Sequence, residues 1–321
     1  MFMDLLLSFL NSLPNAVGQG LIWGVMAIGV YITYRILDIA DLTVDGSLTT
    51  GGAVCAVCIT LGWNPWLALL MAILAGMLAG LVTGLLHTAC GIPAILAGIL
   101  TQLALYSLNL RIMAIGDPVA TTKATLAVSV DNDQLLLSSR FIRSLGLDNP
   151  LVLLVPVTLV VIALLYWFFG TELGCSIRAT GSNPSMSRAQ GINTDFAKIL
   201  GLMLSNGIVA FSSGLYAQYQ GFSDVNMGRG AIVIGLAAVI IGEVVFGKVC
   251  GNFAFKLLSV ALGAILYYLV LQFVLWLGLN SNDLKLLSAL VVAVFLAIPY
   301  LKGKYFSKRV KPAKKGGASR A

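Results

Sequence analysis

Side chains able to do chemistry are few in this chain, and most stand beside or inside long apolar runs, where an ionisable group is costly and needs a reason to be there. Asp41 and Asp45 precede the run Ser47–Leu61, where a carboxylate can accept from the free N–H groups of a helix that begins near Ser47. Glu243, in AAVIIGEVVFG, can pair with Lys248 or Arg178, cap a neighbouring helix, or transmit motion. These three read as structural or gating groups before they read as solute ligands. Gln102, Tyr106 and Asn109 are spaced four and three apart, so they share one helical face. Together with Asn206 they can line a path that binds and releases a solute, or they can simply hydrogen-bond helices to one another. Cys55 and Cys58 have the spacing of a redox or zinc pair, yet no second pair and no nearby histidine completes a metal site. The chain has no GxxxxGK[ST] phosphate loop, no HExxH and no GxSxG elbow. No catalytic residue, metal or cofactor is therefore expected in it.

Function must then reside in how the helices are placed. The chain is 59% hydrophobic and 10% charged, with a mean hydropathy of +0.94, which excludes an ordinary soluble domain. Apolar runs recur from Ala16 to Pro299 and predict an all-α polytopic membrane protein of about nine transmembrane helices, with eight to ten acceptable. The expected crossings are Ala16–Tyr34, an irregularly started Ser47–Leu61, Asn64–His87, Ala94–Met113, Leu151–Phe169, Ala197–Ala217, Gly230–Phe246, Phe255–Leu277 and Leu284–Tyr300. The lead Met1–Asn15 either anchors weakly or adds a tenth. Gly76, Gly80 and Gly84 stand four apart on one face, which permits close helix contact. The polar connection Ala114–Asn149 has room for a short strand pair and an amphipathic helix. Residues 1–301 are expected to form one transmembrane domain, and residues 302–321 a basic tail.

Charge placement orients this bundle. The net charge is +7, and the tail Lys302–Arg320 carries eight basic residues and no acid. On a membrane bundle such a tail marks the cytoplasmic side and meets anionic lipid; no nucleic-acid partner is expected. Nine crossings with the tail and the segment 178–193 inside put fourteen basic residues on the cytoplasmic side and six opposite. Two interrupted segments then run in opposite senses: Asp41–Ala56 in one half and Asp224–Val239 in the other. Broken helices of an inverted repeat would give this pattern, and so would coincidence in a glycine-rich membrane protein.

Between the fifth and sixth runs lies a polar, basic island, RATGSNPSMSRAQGIN, at Arg178–Asn193. Asn183 can cap a short helix, Pro184 suits its first turn, Ser185–Gln190 can make a little under two turns, and Gly191 can stop it. So short a helix is marginal alone and must be held by something else. A plain loop touching lipid headgroups would have the same composition.

TGSNP, the spaced Arg188, GIN at Gly191–Asn193 and the following GLMLSNGIVAFSSGLYA resemble the cytoplasmic coupling segment of ABC-importer permeases of the branched-chain amino acid/ribose type. DLTVDG at Asp41–Gly46 and the run Gly84–Met113 look like the subgroup associated with tryptophan/tyrosine or related solute uptake. The resemblance covers nearly the whole chain. It implies a non-catalytic permease that couples ATP hydrolysis in a partner to alternating access for a small solute, with an amino acid as the expected class. Arg178, Asn183, Pro184, Arg188 and Gly191 would then meet ABC ATPase subunits, which hold ATP and Mg2+. Other implied partners are a second permease copy or homologous permease, an extracytoplasmic substrate-binding protein and membrane lipids. The implied place is a bacterial inner membrane, multi-pass, with the C-terminus cytoplasmic. The residues alone also admit an ion-coupled secondary transporter or a non-transport membrane assembly component.

Overall fold

The computed structural model describes residues 2–115, 120–128, 135–139, 142, 149–247, 251–276, 286, 289–294 and 297, with side chains from residue 12 onward. Its helices are α1 (Phe2–Tyr31), α2 (Thr43–Thr60), α3 (Pro65–Thr88), α4 (Ala94–Ile112), α5 (Pro150–Phe168), α6 (Glu172–Ser182), α7 (Pro184–Ala189), α8 (Thr194–Gln220), α9 (Ala231–Phe246) and α10 (Phe253–Trp276). A π-helical turn, Ile32–Ile36, ends α1. Two three-residue strands, β1 (Thr125–Ala127) and β2 (Phe222–Asp224), pair antiparallel. Among the described residues six helices are long and apolar enough to cross a membrane: the Ser12–Ile36 stretch, α3, α4, α5, α8 and α10. The protein is thus an all-α polytopic membrane protein.

Several expectations shift in detail. The lead Met1–Asn15 is not a segment apart: from Phe2 it is continuous with the first crossing, and the helix runs through Pro14. A strand pair does form on the 114–149 connection, but its second strand comes from residues 222–224, so it ties two distant connections together. The amphipathic helix expected there, the acidic residues Asp117, Asp131, Asp133 and Asp148, and most of Leu284–Tyr300 lie outside the described residues, as do Lys248, Cys250 and the tail.

The bundle is built around α8. Going along α8 from Ser205 to Tyr219, the partners on α1 run backward from Gly29 through Ile22 to Asn15, so the two are antiparallel. α3 is antiparallel to α8 as well, with Gly84, Gly80 and Gly76 against Ile199, Leu202 and Asn206 in turn. α2 runs parallel to α8, since Ser47 meets Asn206, Gly51 meets Ala210 and Cys55 meets Gly214. α2 therefore starts halfway along α8 and leads toward the end bearing the strand pair. α9 runs the other way, with Gly235 against Val30 and Glu243 beside Arg35.

Burial follows this plan. Most of α2 is buried, including its run Gly46–Ala53, which lets it carry hydroxyls. Thr49 and Thr50 donate to the carbonyls of Asp45 and Gly46 at 3.1 and 2.9 Å, so neither hydroxyl is left unbonded. The outer helices α3, α4 and α5 instead expose Leu74, Leu78, Leu100, Leu159 and Leu164, the arrangement a lipid solvent favours.

The glycine face of α3 makes the close approach that its spacing implies. A Cβ on Gly76 would run into the Asn206 carbonyl and the Ala210 methyl, and one on Gly80 into the Leu202 carbonyl. Gly76→Leu should force α3 off α8 and destabilise the bundle by about 3 kcal/mol or more. Gly62→Leu should not do this by contact, since nothing lies within 4 Å there, although its positive φ adds strain of its own. Detergent-solubilised yield and Tm of the two variants check this, and equal values would contradict it.

Candidate functional site

Three features could serve function: a buried polar junction, a half-open cavity, and an exposed turn helix. The junction forms where the chain breaks. After the π-turn, Asp38 takes a left-handed φ of 55°, a conformation Asp tolerates better than most residues, and the chain reaches the middle of α8. There Asp41, 2% exposed, accepts from the Thr43 amide at 2.9 Å through Oδ1 and from Asn206 Nδ2 at 2.8 Å through Oδ2. Asn206 accepts in turn from Ser47 Oγ at 2.6 Å and donates to the Leu202 carbonyl at 3.0 Å. A hydroxyl chain continues outward: Thr43 lies 2.7 Å from Thr83, which donates to Thr101 at 2.9 Å. One network thus joins α2, α3, α4 and α8.

Asp41 bonds the first amide of α2, that of Thr43, and the helix starts there, four residues before Ser47. Asp45 lies inside α2 and corrects the expectation made for it. Its carboxylate crosses to the other interrupted segment and accepts from the Gly230 and Ile232 amides at 3.0 and 2.9 Å. It caps α9, whose own N-cap residue, Gly230, has φ 84° and no side chain to offer. The starts of the two oppositely running helices are therefore bonded to each other.

On the far side of α2 lies a cavity of about 310 Å³, lined by Asp45, Gly46, Thr49, Gln102, Leu103, Tyr106, Asn109, Val225 and Arg229. Gln102, Tyr106 and Asn109 come together in it as their spacing implied. Asn206 does not join them, because it is held wholly inside the polar junction. Asn109 is fully buried, and neither its amide nitrogen nor its oxygen has a partner. The Arg229 guanidinium rests over the Tyr106 ring, 5.8 Å from its centroid.

At the opposite end of α8, α7 spans Pro184–Ala189 with Asn183 Oδ1 accepting from the Met186 amide at 3.1 Å. Its end is a Schellman turn: the Ile192 amide reaches the Ser187 carbonyl, the Gly191 amide reaches Arg188, and Gly191 has φ 83°. Asn183, Pro184, Met186 and Gly191 are exposed. Arg188 does not project freely, since its Nε donates to Thr194 Oγ1 at 2.8 Å and links α7 to the first turn of α8. The first residues of the polar island are not loop but the end of α6, whose Gly181 packs on the Ile36 carbonyl. Arg178, on α6, stacks over Phe253 at 5.3 Å. Glu243 pairs with Arg35 at 3.1 Å rather than with Arg178; both groups are well exposed, so this pair contributes ~0.5 kcal/mol. Cys55 and Cys58 sit one turn apart on α2, and Cys55 Sγ accepts from Gln218 Nε2 at 3.5 Å, a packing role.

Arg229, Ser47, Thr83 and Thr101 belong to these features without standing out in the sequence. Arg229 carries one usable signal, a lone cation between two glycines immediately before an apolar run.

The profile of a family described as branched-chain amino acid transport system / permease component matches residues 12–299. A tyrosine transport system permease protein of Clostridioides difficile (strain R20291) is 41% identical, over 90% of this chain and 91% of its own. The ribose import permease protein RbsC of Escherichia coli (strain K12) is 24% identical, over 90% of this chain and 85% of its own. The solved structure of PsaBC from Streptococcus pneumoniae in complex with Fab shares the fold, with a TM-score of 0.52 at 17% identity over 93% of this chain and 99% of that one.

Proposed function

Because this chain belongs to the branched-chain amino acid transport permease family, and is thus the non-catalytic membrane subunit of an ABC-type importer for a small solute, we propose that it works by alternating access driven through α7. The observation that carries this reading is the mechanical continuity of α7: exposed, capped at Asn183, closed by a left-handed Gly191, and tied by Arg188 to the α8 that anchors the polar junction. An ATPase subunit docked on α7 and its flanks through Asn183, Pro184, Arg188 and Gly191, and on the neighbouring α6 through Arg178, would move α8. Asp41 and Asp45 would then gate, because each bonds an element that packs differently if α8 shifts. Glu243 would serve as a minor tether of α9 to the end of α1.

In this reading ATP and Mg2+ bind the partner ATPase, and two permeases, identical or homologous, enclose the path. The α7 end and the tail face the cytoplasm of a bacterial cell, and a substrate-binding protein delivers solute at the end bearing β1 and β2. About nine crossings and an inverted repeat are the finer architecture we assign. The repeat is supported by α2 and α9, which start together and run in opposite senses. Gln102, Tyr106 and Asn109 line the solute path, with Asn206 supporting it from within the junction. Likeness to a permease named for tyrosine makes an aromatic amino acid the solute of choice.

Purification in mild detergent tests the partner assignment. An ATPase subunit should co-purify at equal stoichiometry, and the purified chain alone should not hydrolyse ATP. Recovery of the chain without any ATPase under several gentle conditions would contradict it.

A further inference from the structure

We infer that the cavity between α2, α4 and the 225–229 turn is a zwitterion site, in which Arg229 and Asn109 take the carboxylate of the solute and Asp45 takes its ammonium group. This rests on the reading above that the cavity belongs to the solute path.

Opposite charges, Asp45 and Arg229, line one small cavity, yet no ion pair within 4 Å joins them among the described residues. Each is held by something weaker or only partly satisfying. Arg229 lies over the Tyr106 ring, and no ion pair joins it to a carboxylate among the described residues. Asp45 accepts one backbone N–H on each oxygen, which leaves each oxygen a second lone-pair direction. A solute with a single charge would be attracted by one of these groups and repelled by the other. A molecule carrying both charges a few bonds apart satisfies both.

Asn109 supplies the independent observation. It is fully buried at the cavity wall, with an amide nitrogen and oxygen that bond nothing. Leaving such a group unmade is unfavourable, so its position implies a polar occupant. Its NH₂ can donate to a carboxylate alongside Arg229. The rest of the lining suits a side chain: Leu103 and Val225 are apolar, Tyr106 offers a ring, and Gln102 a second amide. A volume of about 310 Å³ holds one amino acid and little else.

The test uses the complete permease–ATPase complex in lipid nanodiscs without the binding protein, so that only the permease selects. Leu103→Cys is introduced into a background lacking the five native cysteines, and the alkylation rate of the new thiol is followed. The probes are L-tyrosine, tyramine, which lacks the carboxylate, and 3-(4-hydroxyphenyl)propionate, which lacks the ammonium. L-Tyrosine should slow alkylation about fivefold at about four times its Kd, and neither analogue should do so at that concentration. Arg229→Gln should abolish this protection and Arg229→Lys should retain part of it, with complex assembly and Tm unchanged in both. Equal protection by all three probes would overturn the zwitterion site and leave the solute path intact, whereas protection by none while the introduced thiol labels freely would overturn both. Failure of that thiol to label in any nucleotide state would overturn both.

Discussion

Asp41→Ala is expected to lower the Tm of the detergent-purified permease by roughly 5–10 °C and to abolish uptake. The carboxylate sits 2% exposed in the middle of the bundle. Its removal strips an acceptor from the Thr43 amide and from Asn206 Nδ2 at once. Asn206 keeps its bond to the Leu202 carbonyl, but the Thr43 amide loses its acceptor. Two weakened buried donors and a small void cost about 2–5 kcal/mol. Asp41→Asn separates shape from bonding. It preserves the volume and can still accept from Thr43, but it turns an NH₂ toward the NH₂ of Asn206 unless that amide flips, so an intermediate loss is expected. Wild-type Tm and uptake in Asp41→Ala would show that the junction does not hold the broken helix.

The second large effect concerns α7. Gly191→Val should insert and fold almost normally yet reduce ATPase co-purification and uptake about tenfold. Valine in the left-handed conformation costs about 1–2 kcal/mol. The bundle is not strained by the added side chain, because nothing lies within 4 Å of that Cβ. The chain relieves the strain by unwinding the Schellman turn, which moves α7; about 1.4 kcal/mol lost at a docking contact is tenfold in affinity. Arg188→Glu should produce a similar loss for a different reason. It reverses the charge offered to the ATPase and breaks the bond to Thr194 that makes α7 move with α8. Arg188→Gln, which can still donate to Thr194 but carries no charge, separates the two contributions. Membrane abundance and Tm are read beside co-purification and uptake. Normal docking and uptake in both Gly191→Val and Arg188→Glu would remove α7 from the mechanism, and loss of membrane abundance in both would make it a segment needed for insertion.

Local grammar is legible in this chain, and links between its distant parts are not. The α7 turn can be read residue by residue, because Asn183, Pro184 and Gly191 each act on backbone within a few positions. The glycine face of α3 is equally readable, since small residues four apart have few other uses. Asp45 shows where such reading stops: its partners are the amides of residues 230 and 232, and nothing in DLTVDG announces them. The same holds for Glu243, whose nearest cations in sequence give no hint of Arg35. Asn206 and Asn109 both look like amides facing a path. Only the packing of α2 between them separates one, saturated by Asp41 and Ser47, from the other, left without partners beside a cavity. α6 escapes notice because an eleven-residue helix that mixes Glu172, Ser176, Arg178 and Thr180 with its apolar residues reads as loop when set between two apolar spans.

Uptake into proteoliposomes tests the central claim most directly. The chain is reconstituted with its co-purifying ATPase and a loaded binding protein, and radiolabelled L-tyrosine is followed with MgATP supplied on the α7 side. The account predicts accumulation that requires hydrolysable ATP, stops when the ATPase is omitted, and is indifferent to sodium and proton gradients. Accumulation by the chain alone, driven by either gradient, would contradict it.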